Sequence, residues 1–457
     1  MKALMDFLNG VNSVVWGPIM LVLLVGTGLY LTLGLRFFSF RNWIPAFKCL
    51  WQGRIHQSKD GEISPWNALM TALAADIGTG NIVGVATAIA IGGPGALFWM
   101  WVTALVGMMT KFSEVLLSVH FREKTPAGNW VGGAMYFIKN GLGKNWLWLA
   151  GAFAIFGMIA CFGIGSMVQA NSISVNLERT FSIPNWLTAI LLLILAGAVI
   201  LGGIKRVAEV SGRLVPYMAV AYVIMCLIVI LMNFSSIPRV FLWVISDAFT
   251  PTAALGGFAG ATIMVAIQMG MARGIFSNEA GLGSAPMAHA ASTAESPLVQ
   301  AAIGMLDVFI DTIIVCSMTG FAILVSVNDQ GAALWSSGIS GGTLTAAAFK
   351  QNLSTFGEYG VTICLTLFAF TTALGWCVYG ERCVIYLFGD RAQKIFRIIY
   401  VISFGLGAVL TLNVVWLFAD TANAFMAFPN IIGILLLSPV IFKIVQEECA
   451  KDSRFKL

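Results

Sequence analysis

The string Asp76-Ile77-Gly78-Thr79-Gly80-Asn81 sits inside SPWNALMTALAADIGTGNIVGVATAIAI (64–91), a stretch otherwise long and apolar enough to cross a bilayer. A lipid-facing helix would carry Leu and Ile at its centre. Glycine loosens a helix, and an acid at bilayer depth is costly. Lipid cannot satisfy the backbone groups that such a break frees, so the break must be buried in protein or line a cavity. The same oddity returns about two hundred residues later in MARGIFSNEAGLGSA (271–285). Two interrupted hydrophobic segments in two halves of one chain point to the binding site of a secondary transporter.

A half-helix that starts at mid-membrane presents free N–H groups and about half a positive charge; one that ends there presents carbonyls and the opposite charge. In the first break the outgoing half is expected to start near Thr79–Asn81, with Thr or Asn as cap. In the second, Ser277 or Asn278 is expected to cap and Glu279 to fall in the first turn. A carboxylate then fits at Gly78, Thr79 and Gly80, while an ammonium or alkali cation fits the carbonyls of Ala74–Ile77 and Ala272–Phe276. That pattern suits a zwitterion plus a cation, such as an α-amino acid with Na⁺. Three roles are open to Asp76: a direct Na⁺ ligand, a partner for the substrate ammonium, or a titrating carboxyl that carries a proton. Asp307 and Asp311 lie one helical turn apart, and one of them is expected to pair with Arg273, as Glu114 is with Lys111.

The elements that must hold these groups follow from composition. The 457 residues are 58% hydrophobic and only 10% charged, which no soluble core accommodates. Long unbroken apolar runs such as 187–203 exclude a β-barrel, so the class is an all-α polytopic membrane protein. Eleven transmembrane helices are expected at 12–34, 64–91, 94–119, 146–177, 184–203, 214–233, 257–291, 297–326, 356–380, 398–416 and 420–446. The first residues lack the features of a cleaved signal peptide, so the first span is expected to be retained. If the spans alternate, 20 of the 26 Lys and Arg fall on one side, and only Lys2, Arg179, Arg239 and Lys350 on the other. Positive charge stays inside, which places the N-terminus outside and the C-terminus in the cytoplasm. The same asymmetry accounts for the net charge of +5 without an acidic partner such as nucleic acid.

The chain therefore reads as one transmembrane domain, 1–457: an extra N-terminal helix (12–34), a first five-helix repeat (64–233), a second (257–446) and a cytoplasmic tail (447–457). The two breaks open the two repeats, which start in opposite directions and so form a 5+5 inverted repeat. Short interfacial helices are expected at 128–141 and 236–249, and the loop 327–355 as a lid or a plain connector. The eight cysteines lie singly and offer no metal spacing or disulfide framework. GTGN lacks a βαβ setting, GLGK at 141–144 lacks phosphate-loop spacing, and no nucleophile–base pair occurs. Neither an enzyme nor a resident cofactor is expected.

The segments 71–101, AGNWVGGAMYFI (127–138), ARGIFSNEAGLGSAPMAHAA (272–291), FIDTIIVC (309–316) and LGWCVYGERC (374–383) closely resemble the alanine-or-glycine:cation symporters, also called sodium:alanine symporters. The resemblance spans essentially the whole chain. It implies the fold of the bacterial leucine transporter and, in a bacterial inner membrane, uptake of alanine or glycine coupled to Na⁺. It makes Thr79 and Gly80 carboxylate-binding amides, Gln169 a polar pocket residue, and Phe276 and Trp376 bulky walls that keep the pocket small. Thr371 and Thr372 resemble sodium ligands of this fold, completed by carbonyls near Ala74 and Ile77. Asp76 departs from the small or hydroxylated residues usual at its position, which leaves open proton coupling through that carboxyl. A substrate-gated channel or a sensor is the rival from another class.

Overall fold

A computed structural model describes residues 6–8, 10–11, 15–53, 60–249, 263–327, 333–410 and 413–457. The first residues of the 12–34 span, the start of the second repeat at 257–262, Lys2, Arg54 and Lys59, and parts of the 327–355 loop and the 398–416 span lie outside them.

The described chain is helical nearly throughout. Its helices are α1 (Pro18–Gly34), α2 (Phe38–Gln52), α3 (Pro65–Asp76), α4 (Val85–Gly92), α5 (Gly95–His120), α6 (Leu147–Ala160), α7 (Val168–Phe181), α8 (Asn185–Ile200), α9 (Gly203–Met232) and α10 (Ile237–Asp247). There follow α11 (Ile263–Asn278), α12 (Pro297–Val308), α13 (Ser317–Leu324), α14 (Gly341–Phe388), α15 (Gln393–Gly407), α16 (Asn413–Leu436) and α17 (Ser438–Lys451). Wider π-turns join α6 to α7 over Cys161–Met167 and α12 to α13 over Phe309–Cys316, so each pair is one continuous rod. Five such rods are long and apolar enough to cross a membrane, or eight if each strongly bent pair counts as one, among the described residues.

Local chemistry explains the starts and stops. α3 and α12 both open on Ser-Pro: Ser64 Oγ accepts the Asn67 N–H and Ser296 Oγ accepts the Val299 N–H, while proline supplies the first turn without a wasted donor. α5 is the central strut, packed against α1, α11 and α12. α14 packs against α3, α6, α7 and α9, and its rod is two helices joined at Ser354, whose φ of 54° interrupts the regular backbone. Gly375 is where α14 crosses α3. A Cβ there would stand 2.7 Å from Ala75 Cβ and 2.8 Å from Ala75 N. Gly375→Ala should therefore overpack the crossing at a cost of about 1–3 kcal/mol. Thermal unfolding in detergent checks this, and an unshifted midpoint would remove the crossing as a tight contact.

Several expectations need correction. Residues 38–52, outside every expected span, form amphipathic α2, bent 81° from α1 through left-handed Arg36 and Phe37. One face carries buried Phe38, Asn42, Ala46 and Cys49, and exposed Phe40, Trp43, Ile44 and Trp51 around it hid that pattern. The 128–141 segment is only partly helical: β1 (Glu123–Lys124) pairs antiparallel with β2 (Trp130–Val131), and the helix starts at Ala134. The span expected at 214–233 begins at Gly203, carrying Lys205, Arg206 and Arg213 on its first turns rather than in a loop. The span expected at 420–446 bends by 59° at Leu437 into α17. In the 327–355 loop, residues 341–353 are already helical. The helix expected at 236–249, by contrast, is present as α10.

Candidate binding site at the paired helix breaks

The first break lies between α3 and the π-turn Gly80–Gly84 that leads into α4, and the axis turns by 48° there. Ile77 is extended (φ −73°, ψ 90°), which ends α3 and turns its last carbonyls out of the helix. Thr79 does not cap through its side chain; its buried hydroxyl has no partner among the described residues. Asn81 caps instead, reaching back so that its Oδ1 accepts the Gly78 N–H at 2.8 Å. The Gly78 amide is thereby taken. The Thr79 and Gly80 amides begin the restarting helix, where N–H groups have no intrahelical partner.

The second break differs from the expectation. α11 runs on through Ser277 and Asn278 and ends there, so these residues close a helix rather than open one. Glu279 takes a left-handed conformation (φ 54°), followed by Gly281 and Gly283 with φ of 92° and 77°. These two glycines make the left-handed turns possible, and only at Pro286–His289 does another short helix form. Glu279 is thus not in a first turn. Its Oε1 accepts the Trp376 indole N–H at 2.8 Å, and Ser284 donates to its other oxygen.

The two breaks meet. A Cβ on Gly80 would lie 3.1 Å from Ser277 Cα, so a side chain there would have to push the two breaks apart by a few tenths of an ångström. Between them stands Asp311, from the π-turn after α12 and fully buried. Its Oδ1 accepts from Asn81 Nδ2 at 2.5 Å and Ser277 Oγ at 3.1 Å, and its Oδ2 from Thr312 Oγ1 at 2.7 Å. Among the described residues no lysine, arginine or histidine forms an ion pair with it. A buried carboxylate held only by neutral donors is an unusual arrangement, because buried charge is normally paired or bound to a metal ion. The expected pairing with Arg273 is not made; that guanidinium lies 5.8 Å from the Phe276 ring centroid.

The remaining candidates divide. Thr372 Oγ1 faces the Ile77 carbonyl at 3.5 Å and closes on Gly78, where a Cβ would come within 2.3 Å of that hydroxyl. Thr371 turns away: its hydroxyl bonds back to Phe368 O at 3.0 Å and faces Met218 of α9. Ala74 is fully buried in the last turn of α3. Gln169, at the start of α7, donates to Ile164 O at 3.0 Å, a carbonyl of the π-turn, while its Oε1 is buried without a partner. Phe276 is half-buried in the last turn of α11. Trp376 is enclosed, with its ring against Gly165 and edge-on to Tyr379 at 5.7 Å. Asp76 leans out of the break to Lys111 Nζ at 3.1 Å; that lysine also lies 3.1 Å from Asp307 and not on Glu114. Glu114 instead accepts from Asn430 Nδ2 at 2.5 Å and the Gly283 N–H at 3.2 Å. Asn81 and Asp311 are the residues that sequence reasoning undervalued. The one signal in the sequence was an acid in a span with no matching base one turn away.

Long apolar helices interrupted in pairs, with the interruptions meeting around a buried carboxylate that has no basic partner among the described residues, define a secondary transporter of the broken-helix class. The chain belongs to the sodium:alanine symporter family, which it matches over residues 1–454. It is 46% identical over 442 residues to the sodium/alanine symporter AgcS of Methanococcus maripaludis, covering 96% of each chain. It is 50% identical over 441 residues to an uncharacterised transporter of Haemophilus influenzae, covering 96% of this chain and 94% of that one. Among solved structures it shares the fold of MhsT in complex with L-phenylalanine (TM-score 0.59, 16% identity, 83% of this chain and 90% of that chain). It is a multi-pass membrane transporter and not an enzyme.

Proposed function

We propose that the protein is a symporter that couples inward Na⁺ flux to uptake of a small neutral amino acid, alanine or glycine. It works by alternating access of eleven spans, one N-terminal helix and a 5+5 inverted repeat, in a bacterial inner membrane with the N-terminus outside. The observation that carries this reading is Asp311, buried between two helix breaks with amide and hydroxyl donors and, among the described residues, no base. Its charge needs a cation, and a small alkali ion suits oxygen ligands of this kind. Asp311 and the hydroxyl of Ser277 form one cation locus; the Ile77 carbonyl with Thr372 forms a second. The Thr79 and Gly80 amides, with the unpartnered Thr79 hydroxyl, take the substrate carboxylate at the positive end of the restarting helix. The unpartnered Gln169 Oε1 offers an acceptor to the ammonium group. Phe276 and Trp376 close the slot to long side chains. The AgcS relative carries sodium and alanine in its name, which supports the same pair here.

The driving force is adequate. One charge crossing 100 mV releases about 2.3 kcal/mol. A tenfold Na⁺ gradient adds about 1.4 kcal/mol, so one Na⁺ can concentrate a zwitterion a few hundredfold.

Uptake of labelled alanine into proteoliposomes, with Na⁺ and H⁺ gradients imposed separately, tests the proposal. Concentrative uptake is expected with the Na⁺ gradient alone. Uptake driven only by protons overturns the choice of ion and returns the coupling to a titrating carboxyl. Equilibration without accumulation identifies a channel.

A further inference from the structure

Lys111 is a base in the middle of an apolar rod, and its side chain is wholly buried. Its Nζ lies 3.1 Å from Asp76 Oδ2 and 3.1 Å from Asp307 Oδ2. The three residues come from three different helices. Asp76 closes α3 at the edge of the first break, Lys111 lies just past the middle of the α5 strut, and Asp307 is near the end of α12. Among the described residues no N–H or hydroxyl donor reaches Asp76 Oδ1 or Asp307 Oδ1, and the Asp76 carboxyl also touches those of Asp307 and Glu279. The groups that face this cluster are also enclosed. Glu114 is held by Asn430 and Gly283, and Glu279 by Trp376 and Ser284. His289 Nδ1 contacts Gln300 at 2.6 Å, and the Tyr379 hydroxyl, buried without a partner, stands in the electrostatic reach of both acids. Two carboxylates at equal distance from one compact +1 charge, with acceptor oxygens to spare, are what a protein would build to hold a monovalent cation.

We propose that the Lys111 ammonium is a resident cation. It permanently fills a monovalent-cation site made by Asp76 and Asp307, and as a positioning residue it pins the end of the first half-helix to α5 and α12. The inference rests on the symport reading for its consequence, which is that the exchanged ion is confined to the loci at Asp311 and at Ile77–Thr372 because the acidic site at Asp76 and Asp307 is already occupied. Removing the ammonium leaves two buried carboxylates uncompensated, and the vacated place would then draw Na⁺ or protons from solution.

The test compares purified wild type, K111Q and K111Q/D307N in detergent by thermal unfolding. The titrants are NaCl against choline chloride at constant ionic strength, and pH from 8 to 5.5. In choline at pH 8, K111Q is expected to unfold about 10 °C below wild type. Na⁺ or acid should then return about half of that loss, beyond any response of the wild type. The titrant that restores it tells Na⁺ from protons. K111Q/D307N, which restores the wild-type net charge of the cluster, should unfold within about 3 °C of wild type and lack the extra response. A K111Q response no larger than that of wild type overturns the proposal, as does a double variant no more stable than K111Q. If K111Q cannot be recovered folded, the double variant decides: recovery with the wild-type response supports the proposal, and failure to recover overturns it. Alanine uptake by wild type, run in parallel, judges the symport reading separately, because the unfolding comparison needs no transport.

Discussion

Asp311→Asn should raise the Na⁺ concentration needed for half-maximal alanine uptake by about tenfold to a hundredfold. Asparagine keeps the shape of the side chain but removes its charge. Asn81 Nδ2 and Ser277 Oγ both point donors at Asp311 Oδ1. The amide oxygen can still accept from both, but its NH₂ then replaces Oδ2, which accepts from the Thr312 hydroxyl, so a donor meets a donor there. Hydrogen bonds to a charged group contribute about 1.5–3 kcal/mol, against 1.4 kcal/mol for each factor of ten in affinity. Because the substrate carboxylate is assigned to Thr79 and Gly80, the apparent alanine affinity at saturating Na⁺ should move by less than about threefold. The measurement is initial uptake rate against Na⁺ at fixed alanine in proteoliposomes. An unchanged Na⁺ requirement takes Asp311 out of the ion site. A collapse of alanine affinity at unchanged Na⁺ dependence assigns it to the substrate instead.

Trp376→Ala should produce the largest loss of stability of any single truncation near the breaks, together with a wider substrate range. The ring is 1% exposed, lies on the π-turn at Gly165 and donates to Glu279. Deleting a buried tryptophan costs about 3–5 kcal/mol through lost contacts and the cavity left behind. It also strips Glu279 of one donor, leaving Oε1 buried and unsatisfied, which adds to the cost. The readouts are the unfolding midpoint in detergent and competition of labelled alanine uptake by valine, leucine and phenylalanine. Larger side chains should compete in the variant and not in the wild type, since sterics reject long chains while a missing methylene is discriminated by only about 1–3 kcal/mol. An unchanged competition profile makes Trp376 a packing residue alone.

Much of the architecture was legible because bilayer physics writes it into composition. Apolar runs of span length, the break at Asp76–Asn81 and the second interruption at 271–285 could be read directly, since an unsatisfied backbone or an acid in lipid needs a reason to be there. The Ser-Pro starts of α3 and α12 were equally local. The capping geometry was not. Thr79 and Asn81 are both competent caps, and the choice of Asn81 follows from its position opposite Asp311, two hundred and thirty residues away. The reversal at Ser277–Glu279 was hidden for a similar reason. Glycines 281 and 283 permit a left-handed exit from a helix as readily as they permit its start, and only the packing of Ser277 against Gly80 selects the exit. α2 was missed because its one buried face is set among exposed aromatics that composition alone cannot assign to lipid or to protein.

The charge pairings mark the boundary most sharply. By itself the sequence determined that this is a polytopic helical protein with two broken helices and a handful of acids and bases too costly to be there without partners. Which acid meets which base was decided by the tertiary structure. Lys111 could have met Glu114, three residues on along the same helix, yet it lies between Asp76 and Asp307 on two other helices, while Asp311 is left to amides and hydroxyls. The reason is physical. Hydrophobicity and helix propensity are summed along a chain, so a sequence displays them. The partner of a buried charge depends on how rods cross in space, and with hydrocarbon around the bundle the strongest pairing that the crossings allow is the one that forms.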